Sequence, residues 1–514
     1  MKKAIYLFVI IITSFNSLAQ TAEEALLFSD QAYIGTARSH AMGNAFGSLG
    51  ADITSLHINP GALGVYRTLN MSFTMGLGMR EVTAYHQGNQ SDDMAGNFNV
   101  TSFGFVSTLK RNPSSDWRRV NFSFSYNKNN IFKSSMDVRG FNENTSLVDV
   151  FHDYAQGKFY NAYSPEGMIY ENDYLNPFYE NGAFWVDLID LDADESGNWL
   201  DNGEFYREVM AGQDQRKITN TSGYMGEYQF SYAGSYQENL YVGASLGISS
   251  LDYIKETYYT ESNFTDTSST VKGFYMLDDL YTKGLGINLK IGGIYRLNDK
   301  FRLGLSWHSP TFYNMQDQWQ MQMSAQHELN DSSYSFSYTS PYGLYDYELV
   351  TPVKIITSAS YIIDKKLVLS GDLEFIDYSS MRLDGEDYNY FDQENQKISN
   401  VYSNTYNTRL GLELNLSPIV LRAGYAKYGN PLGNENDDAQ IHLISENTNQ
   451  EIYRNERQTW SVGLGKRNKY SYIDFAYSYS EQSLTSWMYN PNYIAPSKLI
   501  NSYNNILVTL GWKF

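Results

Sequence analysis

The sequence predicts an all-β fold: a 14-stranded antiparallel transmembrane β-barrel with an N-terminal hatch, or plug, inside the lumen. Three observations carry that expectation. The final stretch alternates, Ile506, Val508, Leu510, Trp512 and Phe514 on one face and Leu507, Thr509, Gly511 and Lys513 on the other. Short connections at Gln237–Asn239, Leu297–Lys300, Asp364–Lys366, Ser417–Pro418 and Asn468–Tyr470 take turns with long ones, the asymmetry of periplasmic turns and external loops. Charges, finally, fall on the less apolar face of each strand.

The first residues set the compartment. Lys2 and Lys3 precede an apolar run from Ala4 to Ile12, and Ser17-Leu18-Ala19 offers small residues where a signal peptidase cuts, so 1–19 reads as a signal peptide and the mature chain begins at Gln20. No other stretch approaches the ~20 consecutive apolar residues of a membrane helix. With 0 cysteines there is neither a disulfide framework nor a lipoprotein anchor. A net charge of −19 and a pI of 4.8 argue against nucleic acid or anionic headgroups as main partners, because both need a basic face. A chain with 45 Tyr, 27 Phe and 8 Trp whose mean hydropathy is nonetheless −0.45 fits a barrel of the bacterial outer membrane, where only alternate residues meet lipid and aromatics mark both interfaces. A secreted sugar-binding β-protein would share the tyrosines. The barrel is expected to be a monomer in contact with outer-membrane lipid.

Residues 20–68 show no alternation. A helix-permissive piece from Ala22 to Tyr33 leads into small residues, including Gly43 and Gly47, and ends at Asn59-Pro60-Gly61, a composition suited to compact irregular packing. The barrel proper is expected over 69–514. Met71, Phe73, Met75, Leu77 and Met79 open it, followed by strands near 99–109 and 120–126 and then the longest insertion, 128–224. Eleven further strands are expected at about 225–236, 240–253, 284–296, 301–312, 351–363, 367–378, 406–416, 419–428, 458–467, 471–480 and 504–514.

Charge placement is an independent check, since Arg or Lys facing lipid at mid-membrane costs roughly 2–4 kcal/mol. Leu285, Ile287, Leu289 and Ile291 oppose Lys290; Leu303, Leu305 and Trp307 oppose Arg302 and His308; Leu410, Leu412 and Leu414 oppose Arg409 and Glu413. A soluble sandwich also alternates, but its long and short connections do not segregate. Fourteen strands enclose more room than their own side chains fill, so the lumen is a channel or is plugged, and 20–68 is the natural plug.

Residues 31–67 run Gln31-Ala-Tyr-Ile-Gly-Thr-Ala-Arg38, Ala41-Met-Gly-Asn-Ala-Phe-Gly-Ser-Leu-Gly-Ala-Asp52 and Ser55-Leu-His-Ile-Asn59-Pro60-Gly-Ala-Leu-Gly-Val-Tyr-Arg67. This resembles the N-terminal hatch of the FadL family of outer-membrane transporters for hydrophobic compounds, in the form found in Bacteroidetes. Gly284 to Tyr313, Thr351-Pro352 with Asp377-Tyr378-Ser379, and Arg422-Ala-Gly-Tyr425 extend the resemblance over nearly the whole mature chain. It implies a fourteen-stranded barrel, with Gly43, Gly47, Asn59 and Pro60 in the hatch. It further implies passive uptake of long-chain fatty acids or aromatic hydrocarbons, which leave sideways through a gap in the wall as the hatch shifts. Two departures stand out. The family's Asn-Pro-Ala-Gly is here Asn59-Pro60-Gly61-Ala62, and the third strand, inwardly kinked in the family, has no Gly or Pro between Val120 and Asn127 to mark the opening. A type IX secretion component shares this barrel, so a structural or docking role in protein export is the rival reading.

Three sets of candidate site residues follow. Asp192, Asp194, Ser196, Asn198 and Glu204 repeat oxygen ligands around Gly197 as a calcium loop does, although Glu204 stands one position late; a solvated acidic loop is the alternative. Phe312, Tyr313, Trp319, Met321 and Met323 form an adaptable apolar rim for ligand, or else pack the loops together. Arg302, Lys354, Arg409, Arg422 and Lys513 meet a ligand carboxylate, or else pair with Asp372, Glu374, Glu413 and Asp474 to brace the lumen and hold the hatch. The seven histidines show no metal-ligand spacing, and no nucleophile elbow, phosphate loop or zinc signature is present, so no enzyme is expected.

Overall fold

The computed structural model describes residues 20–111, 114–160, 174–191, 200, 203–385, 390–432 and 452–514. Fourteen antiparallel wall strands close into a barrel. They are β1 (Asn70–His86), β2 (Asn89–Lys110), β3 (Trp117–Ile131), β4 (Gln213–Tyr236), β5 (Leu240–Ser262), β6 (Val271–Arg296), β7 (Phe301–His308, continued by Phe312–Leu329) and β8 (Gly343–Val350, continued by Lys354–Ile363). Then follow β9 (Leu367–Asp377), β10 (Asn404–Leu416), β11 (Ile419–Tyr428), β12 (Ile452–Arg467), β13 (Ser471–Ser486) and β14 (Ser497–Lys513). The last strand closes on the first, from Asn70 opposite Lys513 to Tyr85 opposite Lys498, so neither edge is left unpaired.

The expected alternation holds along the wall. Leu285, Ile287, Leu289 and Ile291 are exposed on the outside, whereas Asn288 and Lys290 are buried on the lumen side. Pro310 and Pro352 interrupt β7 and β8 at neighbouring places because proline donates nothing to a ladder. The break is sewn by Thr351 N donating to Thr311 O at 3.1 Å and Thr311 N donating to Thr351 Oγ1 at 2.8 Å.

Inside lies the N-terminal segment. Helix α1 (Ala22–Ser29) starts on a capping box between Thr21 and Glu24, α2 (Ala37–Ala41) on Thr36, α3 (Ile53–Ile58) on Asp52, and Asn59 caps a 3₁₀ turn over Pro60–Val65. Its small residues meet glycines of the wall. A Cβ on Gly424 of β11 would lie 2.1 Å from Gly43 N, and one on Gly304 of β7 would lie 2.3 Å from Gly47 O. Gly43 itself has φ +61°, which a side chain would strain.

The long insertion expected over 128–224 forms, in its described residues, a folded cap. β3 continues to Ile131, a strand Ser134–Asn142 pairs with the outer part of β4, and β4 begins already at Gln213. Between them, helices α4 (Leu147–Ala155) and α5 (Glu180–Trp185) and the hairpin Ile189–Leu191 with Phe205–Arg207 form an apolar core with Met321, Met323, Trp487 and Tyr489. Periodicity cannot announce this, because the apolar residues meet across separate loops rather than along one strand. The N-terminus of α4 is held by Glu261 of β5, which accepts hydrogen bonds from Ser146 Oγ, Leu147 N (2.9 Å), Gln215 Nε2 (2.8 Å) and Tyr259 OH (2.6 Å).

Candidate functional site

Between hatch and cap lies a chamber of about 290 Å³. Its wall mixes apolar groups such as Leu26, Phe132 and Tyr253 with charged ones such as Arg80, Lys255 and Glu394. The chamber is lined by Asn130, Ile131 and Phe132, just past the place where one ladder of the wall stops. β2 pairs with β3 from Lys110 opposite Arg119 to Ser102 opposite Asn127, and there the ladder between the two ends. From Ser125 to Asn129 five successive residues of β3 are buried, and its register with β4 shifts between Lys128 and Asn130, so the alternating wall path is broken there.

The freed carbonyls are taken by the hatch. Ala32 N donates to Asn129 O at 2.9 Å and Ile34 N to Lys128 O at 3.2 Å. Across the window, Lys128 Nζ donates to Asn99 Oδ1 of β2 at 2.6 Å. Outside, Met94 and Phe98 of β2 are exposed beside it, while inside Phe28 of α1 stacks edge-on against Phe132 with ring centroids 6.1 Å apart. No glycine or proline bends β3, so the signal sought in the sequence is missing. What marks the spot is the polar run Asn127-Lys128-Asn129-Asn130, which breaks the period of two inside a strand.

The lumen charges serve the hatch and the wall. Arg302 Nη1 donates to Leu49 O at 3.0 Å, and Lys354 Nζ to Gln31 Oε1 at 3.1 Å. Arg409 pairs with Glu374 at 2.7 Å, and Arg422 bridges Glu413 and Asp474 at 2.7 Å each. Lys513 lies over the Tyr472 ring, 5.5 Å from its centroid. Asp372 accepts from the backbone N of Phe46 and Gly47, both at 3.0 Å. The hatch residues Gly43, Gly47, Asn59 and Pro60 all sit against the wall; Asn59 Nδ2 donates to Gly293 O of β6 at 3.0 Å. Sequence reasoning passed over three histidines that do the same work. His57 lies between Glu227 Oε1 (3.0 Å) and Ser125 Oγ (3.1 Å), His308 Nε2 contacts Ile58 O (2.9 Å) and His40 Nε2 contacts Ser478 Oγ (2.7 Å).

The expected apolar rim does not assemble. Alternation sends Phe312 to the outer surface and Tyr313 into the lumen, Met321 and Met323 are sealed in the cap core, and Trp319 packs on Phe178. The calcium-loop residues Asp192, Asp194, Ser196 and Asn198 lie outside the described residues; Glu204 is exposed beside the cap hairpin. Among the described residues no group of three or more His, Cys, Asp or Glu side chains is gathered as for a metal ion.

No protein-family profile and no curated protein matches the chain at sequence level. Solved structures do. A FadL homologue of Pseudomonas aeruginosa shares 12% identity with a TM-score of 0.53, covering 93% of this chain and 98% of that one. The toluene transporter TodX of P. putida shares 12% with a TM-score of 0.50, covering 93% and 97%. With fourteen strands in order, a closed wall and the N-terminal segment folded inside, this chain has the fold of the FadL family.

Proposed function

We propose that the protein is an outer-membrane channel through which hydrophobic small molecules, long-chain fatty acids or aromatic hydrocarbons, diffuse passively under control of the hatch. The observation that carries the reading is the join between hatch and window: the backbone of Ala32 and Ile34 occupies the carbonyls that β3 withdraws from β2. A shift of this segment changes the same hydrogen bonds that hold β3 inward, so chamber and window respond together. The chamber offers an apolar ligand a path from the cap side to the lipid beside Phe98 without a crossing of bulk water. TodX, of like fold, is named a toluene transporter, which supports the class of ligand. No catalysis is part of the proposal.

The chain has no cysteine, so Asn99→Cys is a unique handle at the window. Uptake of labelled oleate or toluene by cells producing the unlabelled variant sets the reference rate, and it should be lost once a bulky maleimide is attached. Undiminished uptake by the fully labelled protein would rule out the lateral route. Deletion of 21–60 should widen the pore while abolishing selective uptake; equal conductance of deletion and intact protein in planar bilayers would remove the hatch from the mechanism. A structural calcium ion in the loop 190–204 is proposed on ligand spacing alone, and calcium-dependent protease resistance of that loop tests it.

A further inference from the structure

The net charge of −19 argues against anionic headgroups as partners of the chain as a whole, but that charge is unevenly placed. The six short turns at one end of the barrel, each taken with two strand residues on either side, hold eleven of the 38 Lys and Arg and only four of the 57 Asp and Glu. The rest of the chain carries the whole acidic excess. With its short turns on the periplasmic side, the barrel therefore stands with a basic rim in the inner leaflet of its membrane.

The turn between β12 and β13 concentrates this charge, with Lys466, Arg467 and Lys469 and no carboxylate. Arg467 turns inward to Asp474, 3.8 Å away. Lys466 instead shares the outward face of Val462 and Leu464, both exposed, and is exposed itself. Lys469 lies over the exposed ring of Tyr470, 4.9 Å from its centroid. Among the described residues neither lysine makes an ion pair. Beside Lys466 the outer wall carries a groove of about 230 Å³, lined by Ile473, Leu510 and Trp512 and by Asn468 of the turn. Strand pairing makes the groove. Trp512 stands opposite Ser471, while Lys466 and Leu510 flank Ile473, so a small side chain lies between a large ring and a cation. One row further into the membrane come Leu464, Phe475 and Val508, the start of the apolar belt.

We propose that this groove seats an anionic phospholipid of the inner leaflet, with its phosphate on Lys466, Lys469 adding to the field, and its acyl chains over Ile473, Leu510 and the belt above. The apolar walls accept any chain, so selection falls to the head. A cation with no carboxylate beside it favours a head of net negative charge over a zwitterionic one. Trp512 suits the level, because indole rings settle where headgroups meet hydrocarbon. Lipid is the occupant rather than an acidic protein, because the cation and the walls share the face turned to the membrane. The proposal rests on the barrel and its lipid-facing side, not on what the channel carries.

The test offers the intact mature protein, in mild detergent, phosphatidylglycerol and phosphatidylcholine of the same chains, and reads bound lipid by native mass spectrometry. One basic residue near an anionic headgroup changes binding about fivefold, so wild type should hold phosphatidylglycerol at least about fivefold better than phosphatidylcholine. Lys466→Gln/Lys469→Gln should lose that preference, whereas Lys365→Gln/Lys366→Gln, which removes the same charge at another turn, should keep it. Ser471→Trp fills the groove, leaves both lysines and should also release the lipid. Heat-modifiable migration in gels verifies that each variant forms a barrel. Absence of the preference in wild type, or its survival in Lys466→Gln/Lys469→Gln or in Ser471→Trp, would overturn the proposal. Equal losses in the two lysine variants would overturn it as well, in favour of a diffuse basic rim.

Discussion

Arg38 on α2 of the hatch grips Glu413 on β10 with two hydrogen bonds, Nε to Oε2 at 2.8 Å and Nη2 to Oε1 at 3.0 Å. Glu413 in turn holds Arg422, and Arg422 holds Asp474, so the hatch is tied into a charge chain that spans β10, β11 and β13. Arg38→Ala leaves Glu413 with one partner fewer in a mostly buried site, a change that costs ~3 kcal/mol of hatch docking. Conductance in planar bilayers should show frequent openings that wild type lacks. Arg38→Lys, which keeps charge but loses the fork, should fall between the two.

Close backbone approach makes a second prediction. Gly424→Ala puts a methyl 2.1 Å from Gly43 N and 2.4 Å from Met42 C, both backbone atoms of the hatch, and should destabilise the docked hatch by ~1–3 kcal/mol. Gly371→Ala on β9 meets nothing nearer than Leu410 Cδ2 at 3.4 Å and serves as a control of the same chemistry. Limited proteolysis within 20–68 should distinguish them, the first variant being cut faster and the second behaving as wild type.

The cap depends on Glu261. Glu261→Ala strands four donors, and each buried donor left unmade costs about 1–3 kcal/mol. Hydrogen exchange over 147–155 should speed up while the wall strands stay protected. Glu261→Gln keeps shape and one acceptor oxygen and should lie between.

At the window, Lys128→Met removes the bond to Asn99 that spans the gap. If release to lipid limits transport, initial uptake of a hydrophobic probe rises at least about threefold, well inside the ~1.5–3 kcal/mol of a hydrogen bond to a charged group. Slower uptake than wild type would show that Lys128 guides ligand instead of barring it.

What the sequence by itself determined is everything that repeats along one strand: the strand count, the short turns, and which side of Leu285, Lys290, Leu410 or Arg409 meets lipid. Those follow from neighbours two positions apart and from the cost of a charge in hydrocarbon, so they are written locally. The placement of Gly43 and Asn59 against the wall was suggested by small residues and by resemblance, but their partners were not. Only the tertiary structure decided that Arg422 meets Glu413 and Asp474 rather than a ligand, that Met321 and Met323 close a cap, and that β3 yields its carbonyls to Ala32 and Ile34. These contacts join separate strands and segments around a wide lumen, where any inward charge has many candidate partners. The choice among them is made by closure of the wall and the path of the hatch, and neither leaves a periodic mark in the chain.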